Sequence, residues 1–237
     1  MPTHHLTQAG QAPRLRRPAA VLFDLDGTLA DTAADLCAPA NRMREARGLA
    51  PLEVSDLGRF ASSGARGLLG RALEITPEHA DYETLRLEFL SGYEEALCVH
   101  TALYPGMPEL LSVLERANIP WGVVSNKTEV YVKPIIAALG LAERSRCAIG
   151  GDTAARAKPY PDPLFLAAEQ LGVNAADCIY VGDDERDIVA GRAAGMLTVA
   201  AAYGYCGTES SPHDWEADLL IDSPLALIDH LEGATTV

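Results

Sequence analysis

The chain has 237 residues, 48% of them apolar, and its 33 acidic against 19 basic side chains leave a formal charge of −14. That length suits one large domain or a domain carrying an insert, and no apolar run approaches the roughly 20 residues a bilayer span needs. So acidic a chain lacks the basic face of a nucleic-acid or anionic-membrane binder, and a site for an anionic substrate would have to concentrate positive charge locally.

Residues 1–17 are polar, carry Arg14, Arg16 and Arg17, and lack the apolar core of a signal peptide, so they read as a flexible leader. Ala20–Phe23 is the first short run suited to a strand buried on both faces. From 33 to 97 the pattern is almost wholly helical, with helices expected over 33–47, 53–60, 65–74 and 77–97. Pro39 predicts a kink or a shifted start in the first of these, and Thr76 before Pro77 predicts the start of the last. Tyr104-Pro105-Gly106 reads as a hinge or turn. A helix over 107–118 precedes a strand at Trp121–Val124, and a helix over 127–139 precedes a weaker strand at Cys147–Ile149. A helix over 162–171 precedes a strand at Cys178–Val181. The remaining segments are a helix over 185–194, a strand at Leu197–Ala200 and an edge strand at Leu219–Ile221. Strands alternating with helices mean a doubly wound α/β domain with a parallel sheet. Roughly 95 residues separate the first two strong strands, more than a crossover requires. The helical stretch 33–99 therefore reads as a small unit inserted into a core made of 18–32 and 100–237.

Cys37, Cys98, Cys147, Cys178 and Cys206 are dispersed and form no CxxC pair, which suggests neither a zinc site nor a disulfide framework and fits a reducing, cytoplasmic compartment. The histidines show no ligand spacing. Trp121 and Trp215 read as packing residues, and Asp184 as a solvent-facing residue or helix cap.

Polar clusters follow three of the strands: Asp24-Leu25-Asp26-Gly27-Thr28, Ser125-Asn126-Lys127, and Gly182-Asp183-Asp184-Glu185-Arg186-Asp187. Lys158-Pro159 lies between the last two. Open α/β sheets bind ligands beyond the carboxyl ends of their strands, near the switch in strand order, so all four segments should face one crevice. Asp24, Asp26 and Asp183 brought together call for a hard cation, for which magnesium suits an all-oxygen donor set. An aspartate of ordinary pKa, about 3.9, is ionised at neutral pH. Asp24 could then attack phosphorus unaided and form an aspartyl-phosphate. Ser125 and the Asn126 amide would bind phosphoryl oxygens, Lys158 would neutralise their charge, and Asp26 would act as general acid and base.

In this order the four motifs resemble those of the haloacid dehalogenase superfamily, over about residues 19–230. The resemblance implies a Rossmann-like core, a mobile helical cap and Mg²⁺-dependent phosphoryl transfer. It implies that Asp24 is nucleophile and metal ligand. Asp26 is acid/base and lends the metal its backbone carbonyl, and Asp183 is the third protein ligand. Asp187 stands behind them and holds metal-bound waters, while Thr28, Ser125, Asn126 and Lys158 bind phosphate. An aspartate at position 26 marks phosphatases and phosphomutases within the superfamily. Lys158-Pro159-x-Pro161 and the run from Asp187 to Gly195 resemble phosphoglycolate phosphatases. The segments from Ser62 to Leu68 and from Asp218 to Leu225 are similar to the N-acetylmuramic acid 6-phosphate phosphatases.

The reading is a phosphatase for a small phosphorylated metabolite, monomeric or homodimeric, without nucleic-acid or membrane partners. Its alternatives are a sugar phosphomutase of the β-phosphoglucomutase type and a catalytically silent binding module. Substrate choice is expected from the cap. Ser62, Ser63, Gly64 and Arg66 form a turn between helices that could reach over the crevice. There Arg66 either pairs with a substrate carboxylate or is a surface arginine, and Lys127 either adds a contact or is merely solvated.

Overall fold

The computed structural model describes residues 17–231, so residues 1–16 of the expected leader lie outside the described residues. Strands β1 (Ala20–Phe23), β4 (Trp121–Val124), β5 (Ala148–Ile149), β6 (Cys178–Gly182), β7 (Leu197–Ala201) and β8 (Leu219–Ile221) form one sheet. Its order is β5-β4-β1-β6-β7-β8, and every pairing is parallel. After β1 the sheet is extended first through β4 to β5 and then, on the opposite side of β1, from β6 to β8. The order therefore switches direction at β1, flanked by β4 and β6, and the loops that follow these three strands share one crevice.

Strand alternation explains why helices cover both faces. In β1, Val21 and Phe23 enter one buried cluster and Ala20 and Leu22 the other, as a two-residue side-chain period requires. The first cluster is completed by α5 (Met107–Arg116), α6 (Glu129–Ala138) and α9 (Pro224–His230), through residues such as Leu110, Leu114, Ile135 and Leu227. The second is completed by α7 (Asp162–Leu171) and α8 (Glu185–Ala193), through Leu164, Ala167 and Ala190. Each large apolar side chain fully buried in this way contributes about 1.5–3 kcal/mol. The architecture is thus the doubly wound, Rossmann-like α/β fold, with β8 at the expected edge.

Beyond β1 the chain leaves the sheet through β2 (Ala30–Asp31) and returns through β3 (Ala102–Leu103), which pair antiparallel. Between them α1 (Ala33–Glu45), α2 (Val54–Gly58), α3 (Gly64–Leu73) and α4 (Tyr82–Glu94) pack around their own apolar cluster, which includes Leu36, Leu57, Leu68, Leu69 and Phe89. The stem is tied by Asp35. Its carboxylate accepts the backbone N–H groups of Val99, His100 and Thr101 and the Thr101 hydroxyl, at 2.7–3.0 Å.

One local expectation fails. The last helix of this unit begins at Tyr82, not at 77, because residues 76–82 close successive turns: His79 N donates to Thr76 O and Tyr82 N to His79 O. Pro39 neither shifts nor ends α1, which runs through it at the cost of one intrahelical hydrogen bond.

Candidate active site

Four loops converge beyond the β1, β4 and β6 ends on a cavity of about 360 Å³, whose floor includes Asp24, Ser125, Lys158 and Asp187. Asp24 follows β1 directly. Its Oδ1 accepts the Leu25 N–H at 2.7 Å and lies 3.0 Å from Lys158 Nζ, while Oδ2 has no partner among the described residues. Lys158 Nζ also lies 2.6 Å from Asp187 Oδ1 and donates to Tyr180 Oη and Val124 O. A buried ammonium is thereby held between two buried carboxylates, and the surrounding charges keep it protonated despite its burial.

Asp183 is fully buried. Its Oδ1 accepts the Thr28 hydroxyl at 3.0 Å and its Oδ2 the Tyr205 N–H at 2.8 Å. Gly27 is required beside it: at φ +84°, a Cβ there would stand 2.1 Å from Asp183 Oδ2. Carboxylate oxygens of Asp24, Asp183 and Asp187 lie within 4.8 Å of one another. Burial, offset by Lys158 and reinforced by Asp187 and Asp26, pushes the Asp24 carboxyl up to about 7. Burial and the charges of Asp24 and Asp187 raise Asp183 well above the carboxylate range. In the protein alone, therefore, burial holds the Asp24 carboxyl above the ordinary carboxylate range. One lysine does not compensate three buried acids, and an all-oxygen set this compact fits a divalent cation, which would restore full ionisation.

These loops lie within the stretch 21–201, which matches the profile of the haloacid dehalogenase-like hydrolases. The chain belongs to that family. Among its relatives, the N-acetylmuramic acid 6-phosphate phosphatase of Pseudomonas aeruginosa is 44% identical, over 92% of this chain and 96% of its own. The phosphoglycolate phosphatase of Xanthomonas campestris pv. campestris is 45% identical, over 89% and 95%. A Haemophilus somnus 129PT structure described as a predicted phosphoglycolate phosphatase superposes with a TM-score of 0.78 at 27% identity, covering 89% of this chain and 96% of its own. This haloacid dehalogenase-like hydrolase is accordingly a phosphoric monoester hydrolase. No helix among its described residues is long and apolar enough to cross a membrane.

The hydrolase distributes the expected site residues unevenly. Ser125 is buried on the floor, and its Oγ accepts the Lys127 N–H at 3.2 Å. The Asn126 side chain is spent on clamping Lys158, donating to its carbonyl and accepting its N–H, both at 2.9 Å. That leaves the Asn126 main-chain N–H for a ligand. The Thr28 hydroxyl reaches Asp183, not the cavity, so it orients a carboxylate. The Asp26 side chain stands apart from the other three acids, with Oδ1 accepting from Thr32 Oγ1 and from Lys127 Nζ at 2.7 Å.

Lys127 is not solvated. Its Nζ is buried between Asp26 and the Tyr93 hydroxyl of α4, 2.7 Å from each, and so joins the strand-end loop to the helical unit. Gly64 lines the cavity, but Arg66 does not; it faces a neighbouring cleft with Arg59 and Trp215.

Two further groups escaped the sequence reading. Tyr180 donates to Val124 O at 2.9 Å and stands 3.1 Å from Asp187 Oδ1; a tyrosine inside a buried strand, whose hydroxyl must find a partner, was the available signal. Arg186 lines the cavity, its Nε and Nη2 forking onto Asp184 at 2.7 and 2.8 Å and Nη2 donating to Ser62 O of the helical unit at 2.6 Å. An arginine in the first turn of a helix, where the macrodipole favours acids, was its signal. Asp184 itself is the N-cap of α8, as expected, within a capping box closed by Asp187. The cysteines are all free, and burial pushes the Cys37 and Cys147 thiols up to about 12, so they offer no nucleophile at neutral pH.

Proposed function

We propose that the enzyme hydrolyses a small carboxylate-bearing phosphate monoester, of the 2-phosphoglycolate or N-acetylmuramic acid 6-phosphate type, by way of an aspartyl-phosphate on Asp24. The observation that carries this reading is the disposition of Asp24: one oxygen is fixed by Leu25 N and Lys158, and the other, unpartnered among the described residues, lies on the floor of the cavity. A nucleophile needs that combination of fixed geometry and a free lone pair.

Magnesium, held by Asp24, Asp183 and the Asp26 backbone carbonyl with Asp187 alongside, would supply positive charge against the phosphoryl oxygens and keep Asp24 ionised. The remaining work falls to the chain's own groups. The phosphoryl oxygens are bound by the Ser125 hydroxyl, the Asn126 N–H and Lys158 Nζ. Attack by Asp24 Oδ2 expels the alkoxide, which takes a proton from Asp26. Asp26 then removes a proton from the water that attacks phosphorus and regenerates the Asp24 carboxylate. Thr28 holds Asp183, and Tyr180 with Asp187 holds Lys158. The helices between 33 and 99 form a cap that encloses the substrate, and it is seated here through Lys127 to Tyr93, Arg186 to Ser62, and Tyr131 Oη to Glu94 Oε1 at 2.6 Å.

The test is a phosphate-release screen of 2-phosphoglycolate, N-acetylmuramic acid 6-phosphate, common sugar phosphates and pyrophosphate, with and without magnesium. Magnesium-dependent release from one of the carboxylated esters is expected. Isomerisation of a sugar phosphate without release would point to the phosphomutase alternative, and absence of both reactions would contradict the reading.

A further inference from the structure

The cationic side chains around the cavity are not equivalent. Lys158 sits on the floor between Asp24 and Asp187, at the place proposed for the phosphoryl group, and Lys127 is tied to Asp26 and Tyr93. Arg186 is the third, and about a third of its side chain remains exposed, 35%. Its Nε and Nη2 are engaged by Asp184 and by the Ser62 carbonyl, whereas Nη1 has no partner among the described residues. A guanidinium is charged at every accessible pH, so that unused edge is a standing pair of N–H donors. Beside it in the wall is an independent anomaly. Ser62 Oγ is buried without a hydrogen-bond partner, and Ser62 belongs to the cavity lining. A buried hydroxyl left unsatisfied in the protein alone is a group for which a ligand can compensate.

We propose that Arg186 and Ser62 together bind an oxyanion on the organic part of the substrate, and that they, rather than Arg66, select carboxylate-bearing esters. This deepens the phosphatase reading and rests on it. The chemical class follows from the donor set: a planar guanidinium edge and a neighbouring hydroxyl match a carboxylate, which accepts two hydrogen bonds on adjacent oxygens. Phosphoglycolate and N-acetylmuramic acid 6-phosphate, the compounds for which two relatives are named, each carry one carboxylate besides the phosphate. The two groups come from opposite sides of the cavity. Ser62 lies in the turn Ala61–Ser63 of the helical unit and Arg186 in α8 of the sheet domain. Their direct bond, Arg186 Nη2 to the Ser62 main-chain carbonyl, makes the two residues neighbours in the cavity wall. Arg186 lines both this cavity and the adjoining cleft, whereas Arg66 lines only the cleft. Asp184 already cancels much of the Arg186 charge, so the discrimination should be moderate, about tenfold and not a thousandfold.

The experiment measures kcat and KM for 2-phosphoglycolate and N-acetylmuramic acid 6-phosphate, each against its own carboxamide, which removes the charge and little else. The wild-type enzyme should favour the acid over the amide in kcat/KM for at least one pair. In Arg186→Gln that preference should fall about tenfold, through the KM of the acid more than through kcat. Arg186→Lys should recover part of it, Ser62→Ala should lower it about threefold, and Arg66→Gln should leave it within about twofold of wild type. Equal loss on acid and amide in Arg186→Gln, or collapse of the preference in Arg66→Gln alone, would overturn the proposal. Should Arg186→Gln fail to fold by thermal unfolding, Arg186→Lys and Ser62→Ala decide, and a preference unchanged in both would overturn it. Phosphate release from all four esters at equal efficiency would reject this inference alone. No release from any of them would reject the phosphatase reading and this inference with it.

Discussion

The floor and the roof of the cavity are built on opposite principles. On the floor, Asp24, Lys158, Asp183, Asp187 and Tyr180 are buried and bonded to one another, and each polar group is fixed by at least one other. On the roof, Leu36, Phe89 and Leu90 present apolar surface. Over the cavity the roof meets the floor through polar bridges that include Lys127 to Tyr93, Arg186 to Ser62 and Tyr131 to Glu94. Preorganised, over-determined charge suits chemistry that must be the same for every turnover. Bridges of this kind suit a part that opens, closes and discriminates. In the proposed function, reaction belongs to the ends of the strands and selection to the parts that close over them.

That contrast yields a graded set of outcomes. Asp24→Asn should lower kcat by roughly 10⁴-fold with little change in thermal unfolding, because it removes the nucleophile while keeping the shape. Exhaustive chelation of metal should have a comparable effect, reversed by magnesium; turnover that survived it would contradict the reading of the acidic cluster. Lys158→Met, also on the floor, should cost about 10²–10³-fold in kcat, as loss of a charge aimed at the transferring phosphoryl group does. Across the bridge, Lys127→Met should reduce kcat about tenfold by releasing Asp26, and Tyr93→Phe should add little once Lys127 is gone. Additive effects in that double-mutant cycle would show that the two do not act through one contact.

The smallest effect belongs to the stem of the roof. Burial pushes the Asp35 carboxyl up, but hydrogen bonds from Thr101, His100 and Val99 outweigh it and hold the group below the ordinary carboxylate range. A folded-state pKa below the unfolded value stabilises the protein above the carboxylate range, and that contribution is lost as pH falls through the folded pKa. Asp35→Asn should lower Tm at neutral pH by about 3–6 °C and flatten the acid limb of the stability curve. An acid limb unchanged from wild type would place its origin elsewhere.

The sheet was legible because each strand buried on both faces is a short unbroken apolar run, and because Asp24, Ser125 and Asp183 follow such runs directly. The helical unit was legible as helices and not as boundaries. Thr76-Pro77 carries the signature of a helix start, yet successive turns occupy residues 76–82 before α4 begins. Side-chain direction was hidden as well. Arg66 sits one turn from the right loop but opens on another cleft, and Lys127 is drawn under the roof by Tyr93, which lies 34 positions away in the chain. Thr28 was assigned to phosphate through its motif, while packing turns its hydroxyl onto Asp183. Placements of this kind depend on tertiary contacts that local pattern does not encode.

The covalent step can be trapped directly. The wild-type enzyme is mixed with magnesium and a carboxylated phosphate ester, quenched during turnover, reduced with borohydride and digested for peptide mass spectrometry. An acyl phosphate on Asp24 would be reduced to homoserine at position 24, in substrate-treated samples only. Homoserine at a different carboxylate, or none anywhere while phosphate release proceeds at full rate, would contradict the account.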